Sequence, residues 1–328
     1  MRQINRIGFI ILIMGLLLSV KSLADSKSLE GVIKYTPLKD RQSVYGLLNC
    51  KGSTNVENFL KIWVPQFQLI YPNVKSSFDF KGSGDGIDAL MNDRANIGAS
   101  SRPIKQKEIE AFKNLKGYAP TEIKVSLDAL AIYVNRLNRL ETITLEELDA
   151  IFSSDRKRGY PEAINSWVSL TDTTNKINIY LFDSNSGTRS YFRKQVMLKG
   201  DYNQKNIVSD KYTKTSEVVE QVAKDIDGIC FGSVGVTNFK VKTLSLSKRK
   251  NYPTYYPSSK DIKNGNYPLT RFFYIYLDVP PDKPIPKLLY EFCKFVLSHK
   301  GQETVIREEG LSLSPKQIGI ELAKMRRE

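Results

Sequence analysis

The chain has 328 residues, of which 49 are basic and 35 acidic, giving a formal net charge of +14 at pH 7. Such a charge favours anionic partners, but the lysines are spread along the chain rather than gathered with aromatic residues, so we expect no nucleic-acid partner. The three cysteines match neither a disulfide framework nor a zinc-binding pattern, and we interpret them as buried apolar residues. These totals exclude a disulfide-stapled miniprotein and a zinc-finger protein.

The first 24 residues have the pattern of a secretory signal. Arg2 and Arg6 precede an apolar run over residues 7–20, and Ser22 and Ala24 form a small-x-small cleavage site. The run is too short for a membrane span, and no cysteine follows it closely enough for a lipid anchor. We therefore expect cleavage after Ala24 and release as a soluble periplasmic protein. The remaining ~300 residues exceed one ordinary core, which predicts two domains.

Beyond the signal, predicted strands and helices alternate, which indicates an α/β fold. The predicted strands cover residues 44–49, 74–80, 96–103, 123–135, 177–182, 228–236 and 271–279. Apolar residues at helical spacing predict helices with faces within residues 56–67, 87–91, 191–197 and 218–226, and one terminal helix from residue 288. Thr144 and Glu147 predict a capping box at the start of another helix.

Three of the strand-to-helix turns share one chemistry. They are Gly52-Ser53-Thr54, Gly82-Ser83-Gly84 and Ser186-Gly187-Thr188, and a fourth turn, Ser100-Ser101, ends a strand. Each could be an ordinary helix cap. A helix N-terminus, however, also offers N–H donors and partial positive charge to an anion. Because strand carboxyl ends line the ligand crevice of open α/β sheets, the recurrence predicts an oxyanion site between two domains.

Other function classes have weaker support. The one histidine, His299, is predicted near the end of the terminal helix, where it would complement the helix C-terminus rather than serve as a catalytic base. The segment "GSGDG" has neither the P-loop lysine nor the dinucleotide-binding spacing. We expect no enzyme activity, no cofactor and no metal site.

At these turns the sequence resembles the PstS type of substrate-binding protein of bacterial phosphate ABC importers. The resemblance runs through "FKGSGDGIDAL", "NIGASSRPIKQKEI", "SNSGTRSYF" and "YPLTRFFYIYL", in that order. It implies a type II periplasmic-binding-protein-like fold, with two α/β lobes that close over a dehydrated phosphate. Lobe 1 would comprise residues 25–127 and 270–328, and lobe 2 residues 128–269, joined by crossover strands near 126–134 and 269–277.

The same resemblance implies the site and the partners. A monomer would capture phosphate, or another oxyanion, and deliver it to a membrane permease; a sensing role is the alternative. The implied ligand-binding residues are Ser53, Thr54, Asn55, Ser83, Ser101, Arg102, Ser186, Gly187 and Thr188.

Three positions depart from the family pattern. Asn55 replaces a usual threonine, Ser101 replaces an aspartate that accepts the phosphate proton in some members, and Phe182 replaces a usual arginine. A carboxylate that accepts a proton favours phosphate over sulfate, and the candidates for this role are Asp85 and Asp183, although either could instead complement a helix dipole.

The loss of the arginine at position 182 leaves the anion without its usual cation. Arg102 and Arg189 each lie beside a donor turn, and we expect Arg102 to supply the compensating charge. Both could instead be solvated surface residues.

Overall fold

The computed structural model describes residues 29–184, 186–308 and 310–326. The predicted signal and its cleavage site lie outside these residues. The strands are β1 Gly46–Gly52, β2 Val74–Asp79, β3 Ile97–Ser100, β4 Thr121–Asn135, β5 Thr142–Thr144, β6 Asn178–Phe182, β7 Ile207–Tyr212, β8 Gly228–Ser233, β9 Val241–Thr243, β10 Ser245–Ser247, β11 Thr254–Tyr255 and β12 Thr270–Leu277.

The helices are α1 Thr54–Ile70, α2 Ser83–Met91, α3 Gln106–Lys116, α4 Leu145–Phe152, α5 Gly187–Gln195, α6 Thr215–Lys224, α7 Ser259–Lys263, α8 Lys287–Val296, α9 His299–Arg307 and α10 Pro315–Met325. Their alternation with the strands confirms the predicted α/β class. The predicted capping box is also confirmed, since Thr144 Oγ1 accepts from the Glu147 backbone N–H while the Glu147 carboxylate accepts from that of Thr144.

One sheet runs through both parts of the chain, with strand order β2-β1-β3-β12-β4-β8-β6-β7 and β9 paired to β4. Strands β1, β2 and β3 are parallel to one another, and β12 is antiparallel to both β3 and β4. On the other side, β4 pairs with β8 in antiparallel fashion and β6 lies parallel to β7 and β8. The long strand β4 thus belongs to both parts of the sheet.

The apolar side chains form separate clusters. One draws its buried members from residues 129–269, and a second from residues 29–127 and 273–325. A smaller third cluster, which includes Ile87, Phe112 and Tyr276, packs α2 and α3 on the opposite face of the β3–β12 region. The cysteines confirm their predicted role, because Cys50, Cys230 and Cys293 are free and fully buried, and burial raises the pKa of each thiol.

The C-terminal region differs from the prediction. Three helices, α8 to α10, replace the single predicted terminal helix. Ser298 caps α9 by accepting from the Gly301 backbone N–H, and His299 is the first residue of that helix. The interpretation of His299 as a residue of the last helical turn is therefore wrong.

None of the described helices is both long and apolar enough to cross a bilayer. The described residues also hold no group of three or more His, Cys, Asp or Glu side chains arranged to bind a metal ion.

Candidate functional site

The turn between β1 and α1 presents a helix N-terminus at the carboxyl end of the sheet. Gly52 has φ +130°, and the Ser53 backbone N–H donates to Ala99 O at 3.0 Å. Ser53 is buried and caps α1, since its Oγ accepts from the Asn55 backbone N–H at 3.3 Å. Thr54 is exposed and Asn55 is half-buried. Asn55 contacts the end of β3 from this turn, because its Nδ2 donates to Ser101 Oγ.

The turn before α2 and the end of β3 meet beside the first turn. Gly82 N donates to Gly52 O at 2.8 Å, which ties the two glycine turns together. Ser83 Oγ accepts from the Ser101 backbone N–H at 3.1 Å and lies 3.3 Å from Ser101 Oγ. Asn55 Nδ2 donates to the same Ser101 Oγ at 3.4 Å. Three of the predicted donors thus form one hydrogen-bonded group.

The start of α5 completes this group from the other part of the chain. Ser186 caps α5 by accepting from the Arg189 backbone N–H at 3.3 Å, and Thr188 is buried. A Cβ built on Gly187 would lie 3.3 Å from Asn55 Nδ2 and 3.4 Å from Ser101 Oγ. Asn185 lies outside the described residues. The structure therefore brings the N-termini of α1, α2 and α5 to one point, as the turns predicted.

The position of the replaced arginine belongs to the core. Phe182 is 2 % exposed, and its ring packs against Phe231 with centroids 5.9 Å apart. An apolar side chain is favoured here because the last residue of β6 points into the larger apolar cluster. Phe182 offers the cleft no charge.

Both arginines named from the sequence have partners. Arg102 donates to both Glu108 oxygens, at 2.8 and 2.7 Å, and to Pro103 O at 3.0 Å. Burial alone would raise the pKa of Glu108, but the hydrogen bonds from Arg102 and from the Lys105 backbone N–H lower it below its usual value. Arg102 also lies beside α2, because its Nη2 is 3.7 Å from a Cβ built on Gly84. The positive charge of Arg102 is thus balanced by the Glu108 carboxylate.

Arg189 turns away from the donor turns. Its Nη1 donates to Phe182 O at 2.8 Å and pairs with Asp210 at 3.2 Å, while its guanidinium lies over the Tyr202 ring. These contacts hold it against β6 and β7.

Of the two candidate carboxylates, Asp85 stands out. It lies in the first turn of α2, two residues after Ser83, and its Oδ2 is buried without a hydrogen-bond partner in the structure. A buried acceptor of this kind is costly unless a donor is supplied. The Asp183 backbone N–H donates to Tyr212 O, which places that residue at the β6–β7 edge.

A buried ion pair that the sequence analysis missed lies where β4 and β12 run side by side. Arg271 Nε and Nη2 both donate to Asp128 Oδ2, with Nε at 2.8 Å, and Ser233 Oγ donates to the same oxygen at 3.2 Å. Arg271 and Asp128 are 4 % and 6 % exposed. A signal existed for both: each is the one charged residue in a run of otherwise uncharged strand residues, "SLDALAIYV" and "TRFFYIYL".

The comparisons with known proteins point to one family. A model described as the PBP superfamily domain matches residues 39–300. The chain is 34 % identical over 277 residues to the phosphate-binding protein PstS of Pseudomonas aeruginosa, a match that covers 83 % of this chain and 85 % of that protein. The chain belongs to the PstS family. The phosphate-binding protein PstS of Staphylococcus epidermidis is 29 % identical to this PstS-family chain over 285 residues, 84 % of this chain and 82 % of that protein.

Solved structures show the fold of this PstS-family chain. A possible phosphate-binding protein from Planctomyces limnophilus matches with a TM-score of 0.66 at 23 % identity, over 86 % of this chain and 98 % of that one. An ABC-type phosphate transport receptor from Vibrio cholerae matches with the same TM-score at 21 % identity, over 81 % and 100 %. The periplasmic-binding-protein-like fold is therefore confirmed.

Proposed function

We propose that this PstS-family chain captures inorganic phosphate between two lobes and delivers it to the permease of an ABC importer. The observation that carries the proposal is the meeting of three helix N-termini, at Asn55, Ser83 and Gly187, around Ser101 Oγ. These offer clustered N–H and hydroxyl donors to a single oxyanion. The 34 % identity to a PstS protein supports phosphate as that anion. The protein binds its ligand and is not an enzyme.

The proposed ligand-binding residues are those named from the sequence: Ser53, Thr54, Asn55, Ser83, Ser101, Arg102, Ser186, Gly187 and Thr188. The lobes would divide as predicted, with residues 25–127 and 270–328 in one and 128–269 in the other. The separate apolar clusters support this division, because each half has its own core. The protein would act as a monomer outside the cytoplasm after cleavage at Ala24, without a nucleic-acid partner.

A second candidate is the same fold with another small oxyanion, or with a sensing role. Phe182 is the observation that favours it, because the usual arginine of the site is replaced by a core residue. Isothermal titration calorimetry on ligand-stripped protein, with phosphate, sulfate and arsenate, separates the two. Saturable binding of phosphate in preference to sulfate supports the proposal, and no binding of phosphate would refute it.

The donor turns should act together on the ligand. Ser186 Oγ accepts from the Arg189 N–H, and Ser83 Oγ accepts from the Ser101 N–H, so each hydroxyl can turn its own proton to an anion. We expect Ser83→Ala and Ser186→Ala each to weaken phosphate binding by about 1–3 kcal/mol, because a charged oxygen loses a donor. The measurement is calorimetry, with urea unfolding to follow stability.

Ser314→Ala is the matched control for this prediction. Ser314 caps α10 through the same contact, its Oγ accepting from the N–H three residues on at 3.2 Å. Its loss should cost about 1 kcal/mol of stability and leave phosphate affinity unchanged. If Ser186→Ala behaved like Ser314→Ala, Ser186 would be a cap and not a ligand residue.

Asp85 is proposed to accept the proton of bound phosphate through its unpartnered Oδ2. Sulfate carries no proton at neutral pH and would be repelled by the same carboxylate. We expect Asp85→Asn to reduce the preference for phosphate over sulfate at least tenfold, about 1.4 kcal/mol. Titration with both anions measures it.

The control for this variant is Asp88→Asn on the same helix, where the carboxylate is exposed and paired with Arg94. It should leave the preference unchanged. If Asp85→Asn also left the preference for phosphate over sulfate unchanged, Asp85 would serve only to complement the α2 helix dipole.

A further inference from the structure

The Arg271–Asp128 pair has an unequal hydrogen-bond arrangement. Both Arg271 Nε and Nη2 donate to one carboxylate oxygen, Asp128 Oδ2. The third guanidinium nitrogen, Nη1, is buried and has no hydrogen-bond partner in the structure. Within the part of the chain that the structure describes, it is the one buried cationic nitrogen in this state. A buried charged donor that stays unpaired is strongly unfavourable, so Nη1 calls for an acceptor that the protein itself does not supply.

The guanidinium packs against α5, the helix that begins in the proposed site. The Arg271 guanidinium carbon is 5.0 Å from the centre of the Tyr191 ring. Tyr191 is four residues after Gly187 and three after Thr188, so the three share one face of α5. Gly187 is the residue that meets Asn55 and Ser101 from the other half of the chain. Arg271 therefore flanks the helix face that closes the cleft.

Tyr191 fixes this arrangement. Its hydroxyl donates to Thr270 O at 2.9 Å, which joins α5 to β12 directly beside Arg271. Burial raises the pKa of Tyr191 to about 12, so the hydroxyl keeps its proton at neutral pH. The contact holds the middle of α5 close to the guanidinium.

The two arginines that follow the donor turns already have hydrogen-bond partners. Both terminal nitrogens of Arg102 donate to Glu108, and one of them also donates to Pro103 O. Arg189 donates to Phe182 O and pairs with Asp210. Phe182 supplies none. A buried dianionic oxyanion needs a charge-assisted donor, and arginine suits tetrahedral oxyanions because its fork can serve two oxygens at once.

We propose that Arg271 is the buried cationic ligand of the oxyanion, with Nη1 donating to it while Asp128 holds the rest of the guanidinium in place. This inference rests on the proposed function, since it assigns a role within the same site. Arg271 would supply a charge-assisted donor from β12 in place of the one that Phe182 on β6 cannot supply. Recognition would extend to phosphate and to oxyanions of the same shape and charge.

Arg271→Lys is the informative variant, because lysine keeps the charge opposite Asp128 but cannot donate in two directions from a planar fork. We expect it to weaken phosphate binding at least tenfold in calorimetry, with little change in the ligand-free melting temperature. A double variant, Arg271→Gln with Asp128→Asn, removes both charges without leaving either unpaired, and should show at least the same loss. Arg189→Lys serves as the control and should bind within threefold of the wild type, because Arg189 donates to Phe182 O and Asp210.

The outcomes separate this inference from the function it rests on. If the wild type binds no oxyanion, the proposed function fails. If the wild type binds phosphate and both Arg271 variants bind it equally well, the function stands and Arg271 is only a structural partner of Asp128. A tenfold loss in Arg102→Ala beside unchanged binding in Arg271→Lys would assign the charge to Arg102 and overturn the proposal. An equal loss in Arg189→Lys would also overturn it, because the effect would then not be specific to Arg271.

Discussion

Gly52→Ala is expected to destabilise the protein by about 3 kcal/mol or more, combining backbone strain with overpacking. Gly52 has φ +130°, a conformation that side chains with a Cβ rarely adopt. A Cβ at this position would also lie 2.2 Å from Ala99 O, a backbone atom of the neighbouring strand that cannot move aside alone. Urea unfolding, followed by circular dichroism, measures the loss.

Gly52→Ala should also weaken phosphate binding, and by more than a variant that is equally destabilised at a position far from the donor turns. Ala99 O accepts the Ser53 N–H, and Gly52 O accepts the Gly82 N–H, so pushing these strands apart displaces both donor turns.

Two other glycines provide controls for the Gly52 variant. Gly82→Ala has the positive φ of +144° but no neighbour within 4 Å of the new Cβ, so it isolates the backbone strain. Gly319→Ala lies inside α10 with the same open space and no unusual φ, and should stabilise the protein by about 0.5–1 kcal/mol. If Gly52→Ala lost no more stability than Gly82→Ala, the close contact of the new Cβ with Ala99 O would not destabilise the protein.

The donor turns could be predicted because a few neighbouring residues determine each of them. A glycine followed by a hydroxyl residue after an apolar strand specifies a tight turn and a helix cap within a few residues. The turns at Ser53 and Ser83 follow this pattern, and at Ser186 the hydroxyl residue precedes the glycine. All three serines cap or open a helix. Their meeting at one point also follows from a general property of α/β sheets, in which the strand carboxyl ends form a common edge.

The charge balance of the site could not be predicted in the same way. Asp128 and Arg271 are far apart in the chain and meet only because β4 and β12 pair in a particular register. No periodicity specifies that register. Each residue nevertheless gave a signal, as an isolated charge in an apolar strand, because such a charge is buried only with a partner.

The C-terminal helices show a different limit. Residues 288–296 have a clear helical period, but the short loop at Ser298 that starts α9 has no glycine or proline to mark it. The sequence pattern therefore predicts one helix, whereas in the structure Ser298 caps a second one.

Asp128→Ala is expected to cost about 3–5 kcal/mol of stability, because it leaves the Arg271 charge buried and unpaired. Asp128 Oδ2 accepts from two nitrogens of Arg271 and from Ser233 Oγ, so one substitution removes the acceptor for all three. The matched control is Asp172→Ala. Asp172 also pairs with an arginine, Arg139, but the two side chains are 63 % and 69 % exposed, and breaking such a pair costs at most about 1 kcal/mol. If both variants lost a similar free energy of unfolding, burial of the Arg271–Asp128 pair would not make its loss more costly.

Phosphate should offset part of the Asp128→Ala loss. In the wild type, Asp128 balances the Arg271 charge. In Asp128→Ala, a bound anion near Nη1 becomes the nearest counter-charge, so ligand binding removes the cost of an unpaired buried charge. Saturating phosphate should therefore raise the melting temperature of Asp128→Ala by more than that of the wild type, beyond the stabilisation that any ligand provides by mass action. If phosphate stabilised both proteins equally, the anion would lie too far from Arg271 to share its charge, and the buried pair would serve only the fold.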